Sequence, residues 1–256
     1  MSEITTIDGV LDELNNIIET TVEEGSPLAI FAFVYRRTTA KIAEGIAKGQ
    51  FEDPQRMERF DVIFAKKYIR AFWSYRHDKP VAVVWKIAFD AAVDSGGRKA
   101  VILQHLLLGM NAHINLDLSI AAAETVPEGQ IQSLKKDFMM VNTLLEELID
   151  EMQERIARAS PLLFLIDWMG KKNDEAVVNF SIRRARYFAW NAAVTLSHAD
   201  EQEKEHIIRD MDEHIAKVAK GVLAPPGFLI PKVLSLIGMF EEKEILVVVE
   251  KLKGEG

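Results

Sequence analysis

The sequence contains no cysteine, which excludes disulfide bonds, thiolate metal sites and cysteine nucleophiles. Positively charged residues are also fewer than negatively charged ones. The chain has 31 Lys and Arg residues and 39 Asp and Glu residues, which gives a formal net charge of -8. Such a chain has no basic face that would neutralise phosphates, so we expect no nucleic-acid partner. We attribute the acidic balance to solubility.

Long hydrophobic runs are missing as well. No stretch reaches the ~18 uninterrupted apolar residues of a transmembrane helix, and the first residues, MSEITTIDGVLDEL, show no signal peptide. We therefore expect a cytoplasmic protein without an integral membrane span. The GxSxG elbow, the Walker glycine loop, HExxH and GxGxxG are all absent. Function has to be argued from other polar side chains.

Apolar residues recur at helical spacing along the whole chain. The periodic segments begin at capping residues or prolines, namely Asp8, Ser26-Pro27, Asp53-Pro54, Lys79-Pro80, Ser160-Pro161 and Asp174. The one β-branched run, at residues 245–249, sits in a helical context. We predict an all-α fold, with residues 1–256 as a single domain of roughly eight to ten helices. A buried helix at about residues 100–124 lies at its centre, and residues 222–256 form a peripheral C-terminal segment.

The predicted central helix carries polar side chains on an apolar background. It reads VILQHLLLGMNAHINLDLSIAAAE. Four residues at intervals of one helical turn form a ridge along it: His105, Gly109, His113 and Asp117. Asn111 and Asn115 form a second polar pair. Buried polar groups cost several kcal/mol unless each finds a partner, so this helix marks a buried polar site.

His113 and Asp117 are the candidate metal ligands of this site. An imidazole and a carboxylate one turn apart can bind a divalent ion such as zinc, manganese or iron. His105 lies roughly 12 Å before His113 along a straight helix, so it would serve a second role beside the metal. Two other interpretations stay open. The pair can be a structural hydrogen bond in the core, or a general-base dyad in which the carboxylate orients the imidazole.

A second polar group lies in RRARYFAW, where Arg183 and Arg186 share a helix face with Trp190. Arginine recognises carboxylates and phosphates, and an indole can stack on a ligand. Alternatively, one arginine pairs with a core acid, Asp117 or Asp61. We expect Asp61 and Asn142 to point inward. The candidate catalytic residues are His105, Asp61 and Arg186, and the candidate ligand-binding residues are Asn111, Asn115, Arg183 and Trp190.

Four segments resemble a bacterial family of uncharacterised all-helical proteins known as a domain of unknown function. In order, they are FVYRRTTAKIAEGIAKGQFEDP, MERFDVIFAKKYIRAF, ILQHLLLGMNAHINLDLSIA and RRARYFAW, of which HLLLGMNAHINLDL is the most specific. The resemblance extends from about Ile30 to Trp190. It implies an all-α domain and a shared site, and it implies no reaction. That site comprises His105, Asn111, His113, Asn115, Asp117, Arg186 and Trp190.

The step from His113 to Asp117 is also similar to the His-x-x-x-Asp step of helical zinc-dependent phospholipases C and P1-type nucleases. Those enzymes need an N-terminal tryptophan and several further histidines and aspartates. This chain begins Met-Ser-Glu and has six histidines, so the similarity is limited to this one motif.

Two functions follow as expectations, beside a third, purely structural interpretation in which His113, Asp117 and Arg186 form a satisfied core network in a scaffold protein. The first is a metal-dependent hydrolase, acting for example on a phosphate ester, with the metal on His113 and Asp117 and with Arg186 stabilising charge on the substrate. The second is a non-enzymatic helical protein that binds a small acidic or lipid-like molecule. In that case, the apolar run from Leu223 to Phe240, broken by prolines, is a candidate to cover the pocket or touch a membrane surface. The oligomeric state is left open.

Overall fold

A computed structural model describes residues 4–93, 100–165 and 182–254, apart from the side chains of residues 147, 149 and 150. Within these ranges the chain forms eleven α-helices and one π-helical segment, and no strand. The predicted all-α fold is confirmed, with a helix number close to the expected one. The helices are α1 Ile7–Glu23, α2 Leu28–Ala47, α3 Pro54–Arg76, α4 Val83–Val93, α5 Ile102–Ala112, α6 Leu118–Thr125, α7 Ile131–Ala159, α8 Ile182–His198, α9 Glu201–Leu223, α10 Leu229–Phe240 and α11 Ile245–Lys253, with the π segment at His113–Asp117.

Several helices begin where the sequence predicts. Asp53 caps α3 by accepting a hydrogen bond from the backbone amide of Arg56 at 2.9 Å, and Pro54 occupies the first turn. The predicted cap of α1 is wrong by two residues. Thr6 accepts from the amide of Gly9 at 3.2 Å, while Asp8 lies inside the first turn.

The start of α4 depends on a side chain that is distant in sequence. Lys79-Pro80 was expected to open this helix, but α4 begins at Val83. There the carboxylate of Asp212, on α9, accepts hydrogen bonds from the amides of Val83 and Val84 at 2.6 and 2.9 Å. A carboxylate at a helix N-terminus satisfies amides that have no partner within the helix. Since Asp212 lies far along the chain, local spacing cannot reveal this cap.

Two further predicted helices include residues outside the described ranges. After α7 the chain turns at residues 161–163 and is helical at residues 164–165, and the remainder of the helix expected from Ser160-Pro161 lies outside the described ranges. The helix expected from Asp174 enters the described part of the chain at Ile182, as α8.

The predicted central helix lies at the centre of the molecule. The run from Ile102 to Thr125 is long and apolar enough to cross a membrane by composition, but 72% of its apolar window is buried inside the fold. It packs against α2, α3, α4, α8 and α9. Its first turn is anchored by Glu241, which accepts from the amide of Ile102 at 3.1 Å, and by Gln104, which donates to the carbonyl of Val222 at 2.7 Å.

The C-terminal helices belong to different clusters of buried apolar side chains. On α11, Ile245, Val248 and Leu252 are part of the main core, and this helix packs against α7 and α2. The buried side chains of α10 form a small separate cluster with Val101, consisting of Ile230, Leu234 and Ile237.

Candidate functional site

The helix changes its hydrogen-bonding pattern at the motif that the sequence singles out. Residues His113–Asp117 form a π-helical turn, in which the amide of Leu118 donates to the carbonyl of His113 five residues earlier. The expectation of a regular α-helix through the motif is therefore wrong at this point. Single π-helical turns inside α-helices are frequent at functional sites. This segment contacts α3, α5, α6, α8 and α9, so it lies where many helices meet.

His113 and Asp117 form a buried hydrogen-bonded pair. Nδ1 of His113 lies 2.9 Å from Oδ2 of Asp117, and the same oxygen accepts from the indole nitrogen of Trp85 at 3.0 Å. All three side chains are buried. One carboxylate oxygen thus connects the central helix with α4.

The hydrogen bond to Asp117 determines which nitrogen of His113 carries the proton. A carboxylate accepts hydrogen bonds, so we assign the proton to Nδ1 and the lone pair to Nε2. Burial lowers the pKa of His113 below its usual value, although the hydrogen bond to Asp117 and its charge act in the opposite direction. The imidazole is therefore neutral at pH 7. Nε2 is buried and has no hydrogen-bond partner among the described residues.

Aromatic rings surround the imidazole on several sides. Phe64 stacks on it with a centroid distance of 3.7 Å and an interplanar angle of 7°, and Tyr35 meets it edge-on at 4.4 Å. Three further rings lie at about 6 Å. We call these five rings the aromatic cage: Phe31, Tyr35, Phe64, Tyr68 and Trp85.

Further polar atoms around the cage lack partners. The hydroxyls of Tyr35 and Thr39 and the Oδ2 atom of Asp61 are buried and have no hydrogen-bond partner within the described part of the chain. Burial raises the pKa of Tyr35, and the charge of Asp61 adds to the rise. Burial also raises the pKa of Asp61 to about 7, and the charge of Glu58 adds to the rise. Buried polar atoms without partners are rare and call for an explanation.

Asp61 points inward, as the sequence suggests. Tyr35 and Thr39 are site residues that our reasoning from the sequence missed. The sequence indicated their role only weakly. The two residues lie one helical turn apart in the apolar stripe of α2, and this spacing alone does not mark a site. The contact of Tyr35 with His113 depends on how α2 meets the central helix.

A small cavity adjoins the aromatic cage. It has a volume of about 10 Å³, and its wall includes His105 and Gly109 together with three cage residues, Phe31, Tyr68 and Trp85. Such a volume accommodates about one water molecule. His105 thus lies beside the cage, on the cavity side.

Gly109 allows the ring of Phe31 to approach the central helix. A Cβ atom at position 109 would lie 2.3 Å from Cγ of Phe31, a distance that no real contact allows. The glycine in the ridge from His105 to Asp117 therefore has a packing role, and it positions one ring of the cage.

Asn111 and Asn115 form a separate polar connection. Asn115 donates to the side-chain oxygen of Asn111 at 3.0 Å, and Asn111 donates to the backbone carbonyl of Ile215 on α9 at 3.2 Å. These contacts join the central helix to α9. Both residues remain predictions as ligand-binding groups.

Arg186 lies buried between α8 and α7. Its Nε donates to the side-chain oxygen of Asn142 at 2.7 Å, and Nη2 donates to the carbonyl of Phe138 at 2.6 Å. Its guanidinium carbon lies 4.5 Å from the ring centroid of Phe138, and Trp190 packs on the same ring. Burial lowers the pKa of Arg186 to about 9. The expected inward position of Asn142 is explained by this contact.

The structure does not bring Arg186 to Asp117. A row of three aromatic rings, Phe64, Phe60 and Phe138, extends from the imidazole of His113 to the guanidinium of Arg186. Arg183 lies on the exposed side of α8 and pairs with Glu146. The candidate residues therefore divide into a group around His113, a group around Arg186 and the separate pair of Asn111 and Asn115, while Arg183 lies at the surface.

The donor set around His113 is small for a metal site. In residues 4–93, 100–165 and 182–254, no group of three or more His, Asp or Glu side chains is arranged to hold a metal ion. His113 and Asp117 are hydrogen-bonded to each other through Nδ1 and Oδ2, and Nε2 of His113 keeps its lone pair. Metal binding by this pair stays a prediction.

The geometry defines an all-helical protein with a buried, carboxylate-oriented histidine at its centre. Residues 7–225 match the family model described as "Family of unknown function (DUF5995)". The chain therefore belongs to this family, as the resemblance of its motifs suggested. No curated protein and no solved structure matches the chain significantly.

Proposed function

We propose that the chain binds a small neutral molecule through Nε2 of His113, with Asp117 holding the imidazole and the aromatic cage surrounding it. The observation that carries the proposal is the buried lone pair of Nε2, which has no partner among the described residues. Leaving such an acceptor unsatisfied costs about 1–3 kcal/mol. A bound group that donates a hydrogen bond would remove this cost.

The surroundings of His113 indicate the chemistry of the ligand. Five aromatic rings favour an apolar body, and the lone pair requires a hydroxyl or N–H donor. Carboxyl groups of Asp61 and Asp117 lie near the cage, and both raise the pKa of the Tyr35 phenol. The negative charge of Asp117, joined above about pH 7 by that of Asp61, disfavours an anionic ligand for the same reason. The acidic ligand expected from the sequence is thus less suited to this site than an alcohol or a phenol.

The same geometry suits proton transfer. A neutral imidazole whose Nδ1–H is held by a carboxylate can accept a proton at Nε2, as general bases do. Asp117 would then act as a positioning residue, since it touches only the other side of the ring. His113 is not among the residues that line the cavity, which holds about one water molecule, so a ligand that reaches Nε2 requires the rings of the cage to move apart.

The test is ligand-observed NMR with a panel of small alcohols and phenols. We expect binding to the wild-type chain, loss of binding in His113→Phe, and unchanged binding in His206→Phe, because His206 is an exposed histidine on α9. Thermal unfolding of both variants shows whether they are folded. Equal binding by all three proteins, or binding by none, would refute the proposal. His113 and Asp117 would then have a structural role in the core.

A metal-dependent hydrolase is the second candidate. One observation favours it, since histidines that bind metals commonly donate their other ring nitrogen to a carboxylate, as His113 does to Asp117. In that case Nε2 of His113 is the ligand atom. Elemental analysis of the purified protein should then find about one equivalent of zinc, manganese or iron, lost in His113→Phe. Metal-free protein that is indifferent to chelators would exclude this candidate.

A further inference from the structure

Two arginines of α8 contact α7 one helical turn apart, but only one of them meets a carboxylate. Arg183 pairs with Glu146, and these side chains are 73% and 53% exposed. Arg186 is buried and donates to Asn142, which lies four residues before Glu146 on α7. The two contacts occupy neighbouring positions in the same interface. The exposed arginine has a carboxylate as its partner, whereas the buried arginine has an amide.

This distribution leaves the more costly charge without a counterion. Exposed ion pairs contribute little to stability, whereas a buried charge is costly unless it is paired. The two oxygens that accept from Arg186, in the side chain of Asn142 and the backbone of Phe138, are both neutral. The ring of Phe138 attracts the guanidinium but carries no negative charge. Burial lowers the pKa of Arg186 to about 9, and no carboxylate in the described part of the chain counteracts this effect. The guanidinium is therefore still charged at pH 7.

The guanidinium of Arg186 also keeps donors for an anion. The described acids that flank its contact on α7 have other partners, since Asp137 accepts from Arg56 at 2.7 Å and Glu146 binds Arg183. A guanidinium has five N–H groups, and the hydrogen bonds of Arg186 use two of them. The others have no acceptor among the residues that the structure describes. A carboxylate can accept from two such groups at once.

The surroundings of Arg186 indicate which anion fits. A single guanidinium carries one positive charge, so a carboxylate balances it, whereas a dianionic phosphate leaves a negative charge buried. Trp190, one turn after Arg186 on α8, packs on the ring of Phe138 at a centroid distance of 5.0 Å. These two rings favour an acid with an apolar body. The exposed pair of Arg183 and Glu146 shows that the interface reaches solvent one helical turn away, at about 5 Å along the axis.

From these observations we infer that Arg186 binds the carboxylate of a small organic acid between α7 and α8. The carboxylate accepts from the free N–H groups of the guanidinium, and the apolar body of the acid contacts Trp190. The acid supplies the negative charge that the amide of Asn142 does not provide. This inference is independent of the ligand proposed for His113, because a row of three aromatic rings lies between the two sites.

The experiment is an NMR titration of the full chain with sodium acetate, sodium hexanoate and sodium benzoate, with sodium chloride at equal ionic strength as the reference. The reporters are the Nε–H signal of Arg186 and the indole N–H signal of Trp190. We expect hexanoate and benzoate to shift both signals saturably and to bind more tightly than acetate, which lacks a large apolar body. Inorganic phosphate should bind less tightly than benzoate because of its second charge.

The decisive variant is Asn142→Asp, which changes the amide to a carboxylate with little change in shape. The new carboxylate should pair with Arg186, raise the melting temperature and weaken benzoate binding at least about tenfold. The control is Asn191→Asp, which adds the same charge at an exposed position of α8 and should bind benzoate within about twofold of wild type. Circular dichroism verifies that the variants are folded.

A second variant tests the inference by another route. Arg186→Lys keeps the charge but loses the paired donors, so it should weaken benzoate binding at least about fivefold, as read from the Trp190 signal. The inference is refuted if none of the three carboxylates binds to the wild-type chain, or if both Asn142→Asp and Arg186→Lys bind benzoate as wild type does. Phosphate that binds more tightly than benzoate would refute the assignment to a carboxylate.

Discussion

Nδ1 of His113 lies 2.9 Å from Oδ2 of Asp117, across the π-helical turn in the central helix. This contact fixes the proton on one nitrogen and leaves the lone pair of the other nitrogen inside the aromatic cage. Asp117 also accepts from the indole of Trp85. The position of the imidazole and the attachment of α4 therefore depend on the same carboxylate.

Replacing Asp117 by alanine should destabilise the fold strongly. The change leaves the Nδ1–H of His113 and the indole N–H of Trp85 without their acceptor, which should lower the free energy of unfolding by about 3 kcal/mol. Chemical denaturation measures the change. Asp90→Ala is the control, because Asp90 is a partly exposed acid that accepts from Tyr75 and Lys86, and its loss should cost at most about 1 kcal/mol. An Asp117→Ala variant as stable as wild type would contradict the role of this carboxylate.

Replacing Tyr35 by phenylalanine should stabilise the protein. Its hydroxyl is buried and lacks a partner among the described residues, so its removal relieves a desolvation cost of about 1 kcal/mol. Tyr75→Phe provides the matched control, since the Tyr75 hydroxyl donates to Asp90 at 2.9 Å and its loss should cost about 1 kcal/mol. Denaturation of the two variants compares them directly. If Tyr35→Phe loses stability as Tyr75→Phe does, the Tyr35 hydroxyl has a bound partner.

The stability of the wild-type protein should fall with rising pH because of Asp61. The folded protein holds a proton on Asp61 up to about pH 7, whereas the unfolded chain releases it near pH 3.9. Between these values the folded state binds more protons, so stability decreases as pH rises, by at most about 1.4 kcal/mol per pH unit.

Asp61→Asn removes this titration and isolates its effect. The advantage of the variant over wild type in unfolding free energy should grow from about pH 4 to about pH 7 and then level off. Denaturation series at several pH values measure it. An advantage that is constant, or that shrinks as pH rises, would mean that a partner stabilises the ionised carboxylate.

Adding a methyl group at Gly109 should disturb the aromatic cage. The new Cβ of Gly109→Ala would lie 2.3 Å from Phe31, so the ring must move, at a cost of about 1–3 kcal/mol. Gly221→Ala is the control, because this helical glycine has no atom within 4 Å of the new Cβ. There the better helix propensity of alanine should stabilise the protein by about 0.5–1 kcal/mol. Equal effects of the two substitutions would show that Phe31 does not pack on Gly109.

Much of the fold was predictable because the signals are local. Helical periodicity and caps such as Asp53 depend on neighbouring residues, so they are visible in a single sequence. The polar ridge from His105 to Asp117 was visible for the same reason, since a histidine and an acid interrupt an otherwise apolar helix. The inward position of Asn142 agrees with its apolar surroundings in the sequence, whereas its contact with Arg186 was not predicted.

The remaining features depend on which helices meet. The bond from Trp85 to Asp117 joins α4 to the central helix, and the carboxylate of Asp212 caps α4 from α9. Neither contact has a signature in sequence spacing. The π-helical turn arises within the packed core, and the three rings that separate Arg186 from His113 come from α3 and α7. Tyr35 and Thr39 become conspicuous only when their hydroxyls are seen to lack partners.

The role assigned to His113 depends on which of its ring nitrogens carries the proton. Long-range proton–nitrogen NMR of the histidine side chains, recorded between pH 5 and pH 8, distinguishes the two neutral tautomers from the cation. We predict a neutral ring at pH 7 with the proton on Nδ1 and a bare Nε2, because burial lowers the pKa of His113. A proton on Nε2, or a charged ring at pH 7, would contradict the account, because Nε2 could then accept no hydrogen bond from a ligand.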